Sequence, residues 1–205
     1  TAEFSYDTYQ NHYVGLIGES TADPIAPKPY EVALDTAQKL KSENDGYALT
    51  LNHTFGNGLS LTSITGLRSE YYSIVDNDED YAPLPIAFTD YTVSDGDYLS
   101  QEIRLASPEG ERFDYVVGLY YLDQGVTGKG NARVFARALV PTAPAVYVSA
   151  AYDTDVDTDQ IALFAHGNFD ITDHWSVTGG VRYTNESKDL RYTMADQTGL
   201  FTNGS

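Results

Sequence analysis

Apolar and polar residues alternate along several stretches of the chain, and three of these stretches have an aromatic residue at each end. The two aromatics of each pair are eight residues apart: Tyr47 and Phe55, Phe113 and Tyr121, and Trp175 and Tyr183. Alternation with a period of two predicts β-strands that have one apolar face. Eight steps of about 3.3 Å, tilted near 40°, span roughly 20 Å of height, which approaches the ~25 Å apolar band of an outer-membrane barrel. The spacing therefore favours strands whose apolar face meets lipid.

Turn signals divide residues 47–192 into about six strands in three hairpins. Asn57-Gly58 is a strong hairpin signal because both residues tolerate positive φ. Further short turns are predicted at 107–112 and 170–174. Long loops are predicted at about 76–97 and 125–157, with 1–46 as an extracellular loop region and 193–205 as the start of a further loop. Within the second loop, 132–140 and 145–151 predict a hairpin that extends the wall above the membrane.

The alternation of short turns and long loops gives the predicted strands an orientation. Outer-membrane barrels have short periplasmic turns and long extracellular loops. The tyrosines of the three pairs are then predicted near the extracellular rim, and the Phe and Trp residues near the periplasmic rim. The predicted membrane girdle consists of Tyr47, Phe55, Phe113, Tyr121, Phe169, Trp175 and Tyr183.

The opposite face of the strands carries the charged residues. An Arg on the lipid face at the bilayer midplane costs about 2–4 kcal/mol, so Arg182 is predicted to face the lumen. Gln101 and, more mildly, Ser63 are exceptions, because the alternation places both on the lipid side. The residues predicted to face the lumen are Arg68, Glu70, Glu102, Arg104, Arg182, Glu186 and Lys188.

Composition and charge narrow the function classes. The chain has 205 residues, no Cys, and 12 Lys and Arg against 30 Asp and Glu, a net charge of −18. Such acidity argues against a nucleic-acid partner, and no apolar run is long enough for a transmembrane helix. The Asp runs at 153–159 and 76–80 lack the Gly and Glu of a calcium-binding EF-hand loop, which favours solvated acidic loops. We predict no catalytic residues, no cofactor and no metal site.

Two other interpretations of the alternation remain open. A soluble β-sandwich shows the same pattern, and such a protein would be a secreted adhesin or a carbohydrate-binding module. A small closed barrel of eight or so strands would need two extra strands from residues 1–30 or 132–151. The loop tyrosines Tyr71, Tyr72, Tyr81 and Tyr91 either line a ligand vestibule or belong to the upper girdle and ordinary loop packing.

Three sequence stretches resemble strands of one known family. Residues 99–124, LSQEIRLASPEGERFDYVVGLYYLDQ, look like a hairpin of TonB-dependent receptors, and residues 162–192, ALFAHGNFDITDHWSVTGGVRYTNESKDLRY, resemble the next hairpin. Residues 59–72, LSLTSITGLRSEYY, are similar to an earlier strand. The resemblance implies a segment of a 22-stranded transmembrane barrel that encloses a plug domain.

The resemblance also implies a function and partners. Receptors of this family lie in the outer membrane of Gram-negative bacteria and import siderophore-iron complexes, cobalamin or oligosaccharides with energy transmitted by TonB. The expected partners are outer-membrane lipid, the remaining strands, the plug, TonB through a preceding N-terminal region, and the transported ligand. The charged lumen residues are then expected to contact the plug or the ligand, and no enzymatic role is expected. We expect the chain to be an internal slice of the barrel.

Overall fold

The structure, a computed structural model, describes residues 1–13, 38–79, 86–108, 110, 112–139, 141–143 and 145–196. These residues form one seven-stranded antiparallel sheet in which every strand pairs with its neighbours in chain order. The described residues also include one helix, α1 at Ala136–Leu139, which has four residues and is too short to cross a membrane. The strands are β1 (Ala2–Tyr13), β2 (Lys39–Thr54), β3 (Ser60–Asp78), β4 (Ala87–Ala106), β5 (Phe113–Phe135), β6 (Tyr147–Thr172) and β7 (Trp175–Asp196), with α1 at Ala136–Leu139.

The predicted antiparallel all-β architecture is confirmed, but the strands are more numerous and longer than the sequence indicates. β1 lies inside the region 1–46 that was predicted as loop, so the described sheet has seven strands where about six were predicted. The predicted loops at 76–97 and 125–157 are also largely strand, since β5 and β6 pair without interruption from Phe113↔Phe169 to Phe135↔Tyr147. Asp and Gly residues suggested loops, yet an Asp on the solvated face of a paired strand does not interrupt the ladder. β7 continues to Asp196, and residues 197–205 lie outside the described part of the chain.

The sheet order limits the other two interpretations. A β-sandwich needs two sheets, whereas the described strands form a single one. β1 and β7 stand at opposite ends of the order and each pairs with one neighbour, so the described strands do not close a small barrel. The observed sheet is an open arc.

The first predicted hairpin turn is present, and Gly58 rather than Asn57 takes the left-handed backbone conformation. Gly58 has φ of +87°, and its N–H donates to the Phe55 carbonyl at 2.9 Å. A Cβ on Gly58 would stand 2.9 Å from the Pro108 Cβ of the next turn. Glycine is therefore required here both for its backbone angle and for the close approach of the two turns.

One face of the sheet, called here the outer face, carries all three aromatic pairs. The cross-strand register shows that the pairs do not lie on one row perpendicular to the strands. Consecutive pairing from Tyr47 leads through Leu67, Leu99, Asp123 and Asp159 to Ser187, which is four residues above Tyr183. The upper boundary of the aromatics therefore drops by four residues between β2 and β7.

The lower boundary drops by the same amount. His53 of β2 is level with Val181 of β7. Phe55 lies two residues below His53, and Trp175 lies six residues below Val181. Four residues, about 13 Å, over five strand spacings, about 24 Å, correspond to a strand tilt of about 30°, near the range of membrane barrels. With this tilt the apolar band between the two boundaries is about 23 Å tall.

Three polar residues that the alternation places on the outer face, Ser63, Thr65 and Gln101, are hydrogen-bonded to one another. The Gln101 side chain lies between two hydroxyl groups of β3: its Nε2 donates to Ser63 Oγ at 3.0 Å, and its Oε1 accepts from Thr65 Oγ1 at 2.6 Å. Nε2 also donates to the Glu102 carbonyl at 3.2 Å. The exceptions Gln101 and Ser63 therefore form one hydrogen-bonded cluster with Thr65, so no amide group is left unpaired on the apolar face.

We expect Thr65→Val to destabilise the barrel by about 1–2 kcal/mol, because it leaves Gln101 Oε1 without its donor on an apolar surface. Gln101→Leu, which removes the amide itself, should have a smaller effect. The measurement is the unfolding free energy of the complete barrel in lipid vesicles. If Thr65→Val and Gln101→Leu were equally destabilising, the cluster would contribute through packing rather than through hydrogen bonds.

Candidate binding site on the inner face

The opposite face, called here the inner face, holds an ion pair at the height of the upper aromatic boundary. Arg68 Nη2 lies 2.6 Å from Glu70 Oε1, two residues further along the same strand. The Tyr98 hydroxyl of β4 donates to Glu70 Oε2 at 3.1 Å. The Arg68 side chain is 58% exposed, so its guanidinium remains available to a molecule on this face.

Small residues next to this ion pair create a depression of about 410 Å³. Gly46, Ala48, Gly66 and Ser100 form its floor, and the would-be Cβ of Gly66 lies 2.8 Å from Ser100 Oγ. The rim carries Arg68, Glu70, Tyr98 and Tyr120. A concave surface with a cation, an anion and two phenol rings can bind a peptide segment or a small ligand.

A second ion pair and a cation–π cluster lie beside the depression. Arg104 is ion-paired with Glu102 on β4. On β7 the Arg182 guanidinium lies 5.4 Å from the Tyr120 ring centroid and 6.0 Å from that of Phe164, and its Nε donates to Thr184 at 3.1 Å. Arg182 is therefore held against the wall by two aromatic rings.

The remaining predicted lumen residues lie on β7. Glu186 accepts a hydrogen bond from Gln160 Nε2 at 2.7 Å, and Lys188 lies opposite Thr158. Arg68 and Glu70 are thus brought together with Tyr98, and Glu102 with Arg104, while the β7 residues form a separate group. Sequence reasoning missed Tyr98, Tyr120, Phe164 and Gln160. Alternation along each strand places Tyr98 on the face of Glu102, and it places the other three on the face opposite to that of Tyr121 and Phe169.

The predicted vestibule tyrosines do not share one face. Tyr72 lies on the inner face opposite Ser42 and Ser94, and burial raises the pKa of its phenol. Tyr71 and Tyr91 lie on the outer face, where the Lys41 ammonium stands 5.1 Å from the Tyr71 ring centroid. Tyr81 lies outside the described residues. Only Tyr72 of the three described tyrosines reaches the inner wall.

The predicted girdle residues lie on the outer face, and most are well exposed. Trp175 is 73% exposed and Tyr183 is 68% exposed, while Phe113 and Phe169 are directly paired. Phe4 and Tyr6 of β1 join the upper boundary, and Tyr6 stacks on Tyr47 with ring centroids 4.8 Å apart. Sequence reasoning missed both because β1 was predicted as loop. The other predicted girdle residues are exposed or half-buried: Tyr47, Phe55 and Tyr121.

The acidic runs form no calcium loop in the part of the chain that the structure describes. Asp153, Asp155, Asp157 and Asp159 alternate along β6 and point to the outer face, all of them exposed. Asp76 instead has φ of +58° and interrupts the pairing of β3 with β4. No group of three or more His, Asp or Glu side chains among the described residues is placed to hold a metal ion.

Comparison with solved structures finds one receptor with a similar fold over most of this chain, and a second receptor with a weaker match. The ferric yersiniabactin uptake receptor FyuA from Yersinia pestis matches with a TM-score of 0.65 at 15% sequence identity, over 81% of this chain and 24% of that receptor. The siderophore receptor PiuA from Acinetobacter baumannii matches with a TM-score of 0.40 at 15% identity, over 93% of this chain and 36% of that receptor. The chain therefore spans well under half the length of either. Comparison with curated proteins gives no match.

Comparison with protein families covers nearly the whole chain. The family described as TonB dependent receptor-like, beta-barrel matches residues 2–204. An open antiparallel arc with an apolar outer face bounded by aromatics and a polar inner face is what a segment of such a barrel requires. The chain belongs to the TonB-dependent receptor β-barrel family and forms part of the wall of such a barrel.

Proposed function

We propose that this chain is part of an outer-membrane receptor that imports a scarce ligand with energy transmitted by TonB. The observation that carries the proposal is the apolar band of the outer face, about 23 Å tall and bounded by aromatics along two parallel oblique lines. Siderophore-iron, cobalamin and oligosaccharides are the candidate ligand classes. The location is the outer membrane of a Gram-negative bacterium, and the segment has a transport role rather than an enzymatic one.

The outer face is proposed to contact lipid between its two aromatic boundaries. On the outer face, Val117 at the centre of this band is 40% exposed, and Val181, two residues below Tyr183, is 70% exposed. Tyr47, Tyr121 and Tyr183 stand at the extracellular headgroups, and Phe55, Phe113, Phe169 and Trp175 at the periplasmic ones. The Tyr and Trp rings are favoured at such interfaces because one end is apolar and the other can be solvated, whereas the Phe rings contribute apolar contact alone.

The inner face is proposed to contact the plug and the passing ligand. The depression beside Arg68 is rimmed by groups that can pair with peptide carbonyls and carboxylates. Glu102, Arg104, Arg182, Glu186 and Lys188 extend this polar wall toward β7. In a water-filled lumen, charged groups on this face remain solvated and can exchange partners as a ligand passes.

Uptake by cells tests the proposal. The complete receptor that contains this segment is expressed in tonB-positive and tonB-negative cells, and the uptake of radiolabelled ferric siderophores, cobalamin and oligosaccharides is measured. We expect uptake of at least one ligand only in tonB-positive cells. Equal uptake in both strains, or none for a panel that includes all three ligand classes, would contradict the proposed function.

A matched pair of substitutions tests the inner face. We expect Arg68→Ala to lower the uptake rate several-fold at an unchanged receptor level, because it removes the guanidinium from the rim of the depression. The adjacent Ser69→Ala lies on the outer face and should leave uptake unchanged. The two rates are compared in tonB-positive cells with surface levels measured by immunoblot. An Arg68→Ala receptor with unchanged uptake would exclude a role for this ion pair in transport.

A further inference from the structure

The distribution of charged and uncharged side chains between the two faces of the sheet changes above the upper aromatic boundary. Below it the outer face is apolar and the inner face is polar. Above it β5 and β6 continue in unbroken register, so alternation keeps the same parity on each face. The inner face there carries Val126, Val156 and Tyr152, and the outer face carries Asp155 and Asp157.

The inner face of this upper region has a wall of tyrosine, aliphatic and hydroxyl side chains. Across the rows of Gly128 and Gly130, the described strands β2–β7 place no charged side chain on the inner face, and the row of Val126 below them carries one carboxylate, Glu70. The Tyr152 ring lies flat against Gly130, where a Cβ would stand 2.6 Å from the ring, and its hydroxyl pairs with Thr92 at 3.1 Å. We call this surface the upper wall; it consists of Tyr72, Val126, Tyr152, Val156, Leu190 and Tyr192.

The outer face behind the upper wall is strongly acidic. On this face, the three rows of Gly125, Thr127 and Lys129 contain eight carboxylates and only three basic groups. The sheet is a single layer, so these carboxylates lie on the order of 10 Å from a molecule on the upper wall, close to the Debye length of about 8 Å at physiological ionic strength. The eight are Glu43, Asp45, Asp95, Asp97, Asp153, Asp155, Asp157 and Asp189, and the bases are Lys41, Lys129 and Arg191.

We propose that the upper wall binds an uncharged or cationic ligand through an aromatic or aliphatic surface and discriminates against polyanions. In the rows of Gly128 and Gly130 the wall offers apolar and hydroxyl contact and no cation to pair with an anion, and the carboxylates behind it make the potential negative. Arg68 and Lys188 lie in the next inner-face row below Val126, where Arg68 is ion-paired with Glu70. The chain as a whole has a net charge of −18, which adds to the repulsion. The inference deepens the proposed function, on which it rests, by limiting the class of imported ligand.

Two xanthene dyes of similar size and opposite charge test the charge preference. Rhodamine 6G is a cation and fluorescein is a dianion at pH 8. Their binding to the complete receptor in zwitterionic-phospholipid nanodiscs is followed by fluorescence anisotropy, with empty nanodiscs as the blank. We expect saturable binding of rhodamine 6G and at least tenfold weaker binding of fluorescein. Equal binding of the two dyes, or no saturable binding of either, would overturn the proposal.

Substitutions on the two faces separate electrostatics from contact. Asp97→Asn with Asp157→Asn changes only outer-face residues that have no basic residue opposite them. This double variant should weaken the binding of rhodamine 6G roughly twofold to fourfold and strengthen the binding of fluorescein by a similar factor. Tyr192→Ser should instead weaken the binding of both dyes about fivefold, because the contact with the tyrosine ring is lost. Unchanged dye affinities in both variants would show that the dyes bind elsewhere.

The dye experiment and the uptake experiment fail independently. Dye binding requires no TonB. If the dyes bind as expected but uptake does not depend on TonB, the proposed function would be contradicted and the ligand preference of the upper wall would still hold. TonB-dependent uptake of a polyanionic ferric complex, with both dyes bound equally, would leave the function intact and overturn the inference.

Discussion

We expect Val117→Arg to lower the unfolding free energy of the complete barrel in lipid vesicles by about 2–4 kcal/mol. Val117 lies midway between Phe113 and Tyr121 on the outer face of β5, and its side chain is 40% exposed. At the centre of the proposed lipid-facing band, an Arg has neither water nor a carboxylate within easy reach. The measurement is equilibrium unfolding in urea, with heat-modifiable gel mobility as the readout of the folded state.

Two substitutions on the same strand serve as controls for this prediction. Val116→Arg changes the neighbouring residue, which lies on the inner face, the face proposed to line the solvated lumen. Thr127→Arg lies on the outer face above the upper boundary, between Asp95 and Asp155. Both should change stability by less than about 1 kcal/mol. If Thr127→Arg were as destabilising as Val117→Arg, the outer face would be buried over its whole height, and the band would not be a membrane-facing surface.

The alternation predicts well on which face each side chain lies, because successive residues of a pleated strand must point to opposite faces of the sheet. Once the strand forms, the side chain of Arg182 must lie on the other face of the sheet from that of its sequence neighbour Val181. The structure places every residue that was predicted to face the lumen on the inner face. The extent of the strands was less predictable. The Asp-rich sequence of β6 was interpreted as loop, because an acidic residue on a solvated strand face has no local signature that distinguishes it from a loop residue.

The partners within the candidate site could not be predicted without the register. Alternation places Gln101 on the outer face, where it is an exception, and only the alignment of β3 with β4 shows that Ser63 and Thr65 satisfy it. Similarly, the sequence gives no reason to associate Tyr98 with Glu70, which are 28 residues apart. The oblique boundary also requires the register, since it depends on comparing strands rather than on any one of them.

Gly118→Ala should destabilise the barrel by about 1–3 kcal/mol, although alanine normally suits a strand better than glycine. The Phe164 ring lies over Gly118 on the inner face, and an added Cβ would stand 2.3 Å from Phe164 Cζ. The ring would have to move away, and with it the surface against which Arg182 is held. The unfolding free energy in urea is the measurement, with Gly179→Ala as the control. Gly179 lies on the outer face with no atom within 4 Å of its would-be Cβ.

The control and a double variant decide whether the Phe164 ring is the cause. Gly179→Ala should leave stability unchanged or raise it by about 0.4–1 kcal/mol, because the unfolded chain becomes less flexible. Phe164→Leu removes the flat ring that requires the glycine, so Gly118→Ala should have a much smaller effect in the Phe164→Leu background than alone. Additive effects of the two changes would mean that Gly118 is required by the backbone. Non-additive effects would show that Gly118 and Phe164 pack as one unit, in which a residue without a side chain allows an aromatic ring to lie against the inner face, 6.0 Å from the Arg182 guanidinium.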